Sequence, residues 1–101
     1  MMTEIVRYNI PAGEEAAFEE AYEGAQRYLA ASPHCLGYEL LHSIDEPQRY
    51  ILRIQWTSVD GHINGFRKSP EFASFFAAVR PFFAAIEEMK HYEATRIVSG
   101  P

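Results

Sequence analysis

The segment Tyr50–Phe72, YILRIQWTSVDGHINGFRKSPEF, decides the fold. It opens as a strand. Tyr50, Leu52, Ile54 and Trp56 fall on one face at period two, and Arg49, Arg53 and Gln55 fall on the other. The strand stops at Thr57-Ser58, where a hydroxyl can cap the first amides of a helix and Asp60 favours the first turn. Val59, Ile63 and Phe66 then recur at helical spacing, with His62, Asn64 and Arg67 among them. A second helix start follows: Ser69 as cap, Pro70 at the first helical position, then Glu71 and Phe72. The only Trp therefore ends a strand that feeds two short helices.

Working outward, Thr3 to Ile10 reads as a first strand, with Val6, Tyr8 and Ile10 on one face and Ile5, Arg7 and Asn9 on the other. Pro11-Ala12-Gly13 breaks it. A helix over 14–31 follows. Phe18, Ala21, Tyr22, Ala25, Tyr28 and Leu29 form its apolar stripe, and Ser32-Pro33 ends it. A second strand spans Cys35 to Ser43, and Pro47 marks a hairpin loop. Beyond Pro70 a helix buries Phe72, Phe75, Phe76 and Val79 until Pro81 interrupts it. Glu87 to Val98 reads as a fourth strand of ambiguous phase, and 98–101 as a tail. The order βαββαβ over a single domain, 1–101, gives an α+β, ferredoxin-like fold: a four-stranded antiparallel sheet with helices on one face.

Composition narrows the function. The 101 residues carry a net charge of −5, and no run of Lys or Arg offers a phosphate-backbone footprint, so no nucleic acid is expected. No apolar stretch reaches membrane-spanning length. One cysteine, Cys35, excludes an internal disulfide and a Cys-based zinc site, and is compatible with a cytoplasmic location. No His or carboxylate pair stands at ligand spacing on one face apart from the poor combination His91 and Glu93, so no metal is expected. Glycine-rich nucleotide fingerprints are absent. The aromatic share of 14%, with seven Phe, suits either a Phe-rich core or an apolar pocket for a flat ligand.

Three features together carry a resemblance: a strand ending in Trp56-Thr57-Ser58, then a short helix, then Ser69-Pro70-Glu71-Phe72 opening another. With Leu36-Gly37-Tyr38 and Asp45-Glu46-Pro47, the chain resembles the antibiotic biosynthesis monooxygenases, which are dimeric α+β barrels. The resemblance implies a homodimer through the open sheet face, where Arg7, Glu39, Arg53 and Gln55 lie beside Ile5, Leu41 and Ile51, with charges paired across the contact. It also implies oxygenation of a small aromatic or quinol/anthrone-like molecule by O2, with no cofactor. Such chemistry needs a base, for which His62 and His42 are the candidates. Tyr8, Tyr38, Trp56, Asn64, Phe66, Arg67, Phe72 and Phe76 are the expected substrate-binding residues.

The haem-degrading branch of that family uses an Asn, a Trp and an axial His. Aligned on Gly13 and Ser69, this chain has Val6, Phe66 and Phe76 in their places. Phe cannot ligate iron, which argues against haem degradation. Quinol-type relatives carry a His three residues before the Ser-Pro pair and another just after it; here those are Phe66 and Glu71. His62, one helical turn before Phe66, can substitute in space. The alternative function is a non-catalytic dimeric barrel that binds a small apolar ligand or a partner.

Overall fold

The computed structural model describes residues 1–100. Four strands, β1 (Met2–Asn9), β2 (Cys35–His42), β3 (Arg49–Trp56) and β4 (Ile86–Tyr92), form one antiparallel sheet in the order β2-β3-β1-β4. Helices α1 (Glu15–Ala30) and α2 (Pro70–Val79) cover one face. This is the expected ferredoxin-like architecture.

Period-two alternation sets the central pair. Met2, Glu4, Val6 and Tyr8 of β1 stand opposite Trp56, Ile54, Leu52 and Tyr50 of β3, and all eight are buried under the helices. Helix α1 starts after Gly13, whose φ of 92° only glycine adopts without strain. Its stripe of Phe18, Tyr22, Ala25 and Leu29 meets the sheet. Phe18 is the hub, with the rings of Tyr8, Tyr50, Tyr22 and Phe82 at centroid distances of 4.7, 4.8, 5.1 and 5.3 Å. Helix α2 starts as its sequence dictates. Ser69 Oγ accepts from the Phe72 amide at 3.3 Å, and Pro70 occupies the first turn.

The segment between β3 and α2 departs from the expected α-helix. After a cap in which Ser58 Oγ accepts from the Gly61 amide at 2.9 Å, Gly61–Gly65 forms a π-turn and Phe66–Lys68 a 3₁₀ turn. The Phe66 amide reaches back to the Gly61 carbonyl, which inserts an extra residue into the turn. The apolar face changes accordingly. His62 and Phe66 are buried, Ile63 is half-buried, and Val59 is 49% exposed. Gly61 and Gly65 permit the close approach of this turn to the loop before β2. A Cβ on Gly65 would stand 2.5 Å from the His34 ring.

The fourth strand is shorter than expected. It ends at Tyr92, opposite Thr3, because almost no β1 remains beyond that point for it to pair with. Residues 93–100 have no regular structure, and Ile97 and Val98 are exposed. On the open sheet face, the charges expected to pair across a dimer contact pair within the chain: Arg7 with Glu88 at 3.1 Å, and Arg53 with Glu39. These pairs are half-exposed and contribute little to stability.

Gly65→Ala should destabilise the fold by about 1–3 kcal/mol through overpacking against His34. Thermal melts of Gly65→Ala, His34→Ala and the double variant check this. The double variant should regain part of the loss, since removing the ring frees the space.

Candidate functional site

Between the sheet and α2 lies a cavity of about 140 Å³. Val6, Tyr8, Leu52 and Ile54 form its floor, Phe66, Phe72, Phe75, Phe76 and Val79 its helical wall, and Glu4, Trp56 and His62 its polar end. Arg67, Phe83 and Met89 also line it and are exposed, which places them at the mouth.

The polar end is built in layers from three segments. Glu4 lies on the central strand with its side chain 4% exposed. Trp56 Nε1 donates to Glu4 Oε1 at 3.1 Å. The His62 ring stacks on Trp56, with centroids 4.5 Å apart and planes within 16°. His62 Nε2 lies 3.4 Å from the same Glu4 oxygen, and Nδ1 lies 3.0 Å from Nε2 of His91 on β4. An ionised carboxylate can only accept, so Nε2 of a neutral His62 carries the proton toward Glu4, and Nδ1 then accepts from the His91 N–H. The result is a chain of polar groups from the buried Glu4 to the exposed His91. No buried side-chain nitrogen or oxygen among the described residues lacks a partner.

Burial sets the electrostatics. It raises the Glu4 carboxyl above its ordinary range, against the opposing pull of the Trp56 hydrogen bond and the Arg67 charge. It lowers His62 from 6.5 to about 4, helped by the nearby charges of Arg67 and His91. Deeper in the cavity the Tyr8 and Tyr22 hydroxyls hydrogen-bond each other. Burial moves Tyr8 up to about 12 and raises Tyr22 well above the ordinary phenol value, so both remain protonated donors near neutrality.

Of the residues singled out from sequence, the cavity brings together Tyr8, Trp56, His62, Phe66, Arg67, Phe72 and Phe76. The others lie elsewhere. His42 sits at the far end of β2, stacked on Tyr50 at 4.2 Å and bound to the Pro47 carbonyl at 2.6 Å, so it shares no site with His62. Tyr38 is on the edge strand and donates to Gln26 Oε1 at 3.0 Å. Asn64 is exposed and held by Asp60 at 2.6 Å. Sequence reasoning missed Glu4 and left the direction of His91 open. Alternation along β1 was signal enough for Glu4, which shares a face with Val6 and Tyr8; His91 depended on a strand whose phase the sequence left open.

An antiparallel βαββαβ sheet with a ring-lined cavity beneath its helices defines a ferredoxin-like α+β protein with an apolar cavity. More narrowly, the chain belongs to the antibiotic biosynthesis monooxygenase family, whose model matches residues 1–78. A Bordetella bronchiseptica structure named for the same family is 32% identical, with a TM-score of 0.83 over 93% of this chain and 96% of its own. SnoaB of Streptomyces nogalater, described as a cofactor-independent oxygenase and solved as a mutant, shares the fold. Its TM-score is 0.78 at 22% identity, covering 98% of this chain and 97% of its own. The Bacillus subtilis (strain 168) protein YczJ, described as uncharacterized, is 25% identical over 93 residues, 92% of this chain and 98% of its own.

The lowered His62 has a consequence for stability. Unfolded, this histidine takes up a proton below pH 6.5; folded, it does so only near 4. Its contribution is therefore present above 6.5 and is lost as the pH falls through that window. The raised Glu4 acts with the opposite sign, so a variant comparison is needed to isolate His62. Stability from urea melts should fall more steeply between pH 6.5 and 4 in the parent than in His62→Gln. The difference should approach on the order of 3 kcal/mol, the full worth of the shift.

Proposed function

We propose that this protein is a cofactor-independent monooxygenase of small planar aromatics of the quinol or anthrone type, acting as a homodimer. The observation that supports it is the aromatic-walled cavity closed at one end by the Glu4–His62 pair. Its volume is comparable to the roughly 150 Å³ engineered cavity in another protein that accepts benzene. One ring fits beneath Phe66 and Phe75, and a fused system extends past Phe83 toward the mouth.

The bound ring lies with its acidic O–H or activated C–H toward the polar end. The Glu4–His62 pair takes the proton. Sharing it between a buried carboxylate of raised proton affinity and an imidazole compensates for the weak basicity of His62 alone. His91, at the exposed end of the chain, connects the pair to solvent. The Tyr8 and Tyr22 hydroxyls and Arg67 are donors for oxygens on the substrate. The resulting anion is electron-rich and reacts with O2 directly. In an anthrone a carbon that goes from CH2 to C=O supplies the four electrons that O2 requires, and in a quinol conversion to the hydroxyquinone supplies the same four, so in both one oxygen atom enters the product and the other leaves as water.

Oxygen uptake by the purified protein with a panel of quinols and anthrones tests the reading. His62→Gln should lower the rate about 10²-fold with the fold intact. Saturable ligand binding without oxygen uptake across the panel would instead assign the cavity to a non-catalytic binding protein.

The dimer contact runs through the open sheet face that carries Ile5, Leu41 and Ile51 with Arg7, Glu39, Arg53 and Gln55. The chain's own helices do not cover this face, and Leu41 is 45% exposed. Because its charges are already paired within the chain, the contact rests on the aliphatic residues. Sedimentation at micromolar concentration should give twice the 11.5 kDa chain mass. Leu41→Asp should shift it toward monomer, and a parent protein that sediments as a monomer removes the barrel.

A further inference from the structure

We propose that Glu4, His62 and His91 form a binding site for one divalent transition-metal ion, of the Zn²⁺ or Co²⁺ type. Each of the three side chains offers one ligand atom, and these atoms lie within 4.8 Å of one another. Two imidazoles and one carboxylate are the donor set that suits first-row divalent ions and leaves positions open for water or another ligand. The three residues are 58 and 29 positions apart along the chain, which is why spacing in the sequence hid them.

The donors are held by different means. Glu4 and His91 face each other across the β1–β4 pairing, so the backbone ladder fixes their separation. His62 arrives from the π-turn and is locked against Trp56. Ligands around an ion at about 2.0–2.2 Å cannot be more than about 4.4 Å apart, so binding requires only a small contraction. His91, exposed on an edge strand, is the side chain free to supply it.

Three further features favour an ion here. The Trp56 indole N–H donates to the Glu4 carboxylate, the kind of outer hydrogen bond that orients a metal-bound carboxylate. Glu4 is buried without a guanidinium or ammonium bonded to it; Arg67, the cation nearby, donates instead to the Met89 sulfur at 3.1 Å. A divalent ion would supply the compensating charge at closer range. Access is through His91, whose exposed ring is the outer end of the cluster. The ion would replace the His62–His91 hydrogen bond and occupy the lone pairs assigned above to the substrate proton. Bound metal and base catalysis therefore exclude each other, and the metal site stands whether or not that activity exists.

The test is calorimetric titration of the tag-free, chelator-treated protein with Zn²⁺, with Co²⁺ absorption as a second readout. One ion per chain is expected at micromolar affinity or tighter, with quenching of the single Trp by Co²⁺. His91→Ala, on an exposed strand position, should weaken Zn²⁺ binding at least tenfold, and Glu4→Gln likewise, while His42→Ala leaves it unchanged. Absence of saturable binding overturns the proposal. So does binding that His91→Ala does not weaken, whatever the result of the oxygen-uptake assay.

Discussion

A carboxylate on the buried face of the central strand is the constraint around which one end of this molecule is arranged. Glu4 stands where β1 alternation demands an inward side chain, between Met2 and Val6. Burying it unpartnered would cost several kcal/mol. Every neighbour answers that cost. The single Trp ends β3 so that its indole N–H reaches Glu4, and the stacked His62 ring excludes water while pointing a nitrogen at the same oxygen. The π-turn is what presents that nitrogen. The aromatic core around Phe18, at the other end of the sheet, follows the simpler rule of filling space and contributes no charged group.

The two ends divide the labour. Phe18 and Tyr22 of α1 are buried with Tyr50 and Phe82 and hold the start of the helix to the sheet. Under α2 the packing is looser, and phenyl rings line a void rather than fill it. The Tyr8–Tyr22 hydroxyl pair marks the boundary between them. An apolar floor, an aromatic wall and a polar end would together give the proposed ligand one preferred orientation.

How far this is legible in the sequence depends on the range of the forces involved. The faces of β1 and β3, the α1 stripe and the Ser69-Pro70 start are readable because each follows from local periodicity or local hydrogen bonding. The π-turn is not, because helical spacing in Val59, Ile63 and Phe66 does not reveal an inserted residue. The site is half readable. Its rings and His62 lie within one segment, but Glu4 and His91 join it only through strand pairing. His42 shows the converse error: the right chemistry and the right face of the sheet, but the wrong end of it.

The irregularity in the β1–β4 ladder has a consequence of its own. Arg7 pairs with Glu88 but Tyr8 pairs with Ile86, so Glu87 is an extra residue in the register. Ile86 and Met89 both line the cavity although three positions separate them, which strict alternation forbids. That bulge acts as a parity switch. With it, Met89 and His91 turn inward and Lys90 turns out. Drawing Glu87 into the regular ladder while Ile86 stays anchored would invert the strand beyond it, sending the imidazole to solvent and an ammonium toward Glu4. Whether β4 serves a carboxylate with a histidine or with a lysine is thus determined by the one residue left out of the ladder rather than by the identity of those within it.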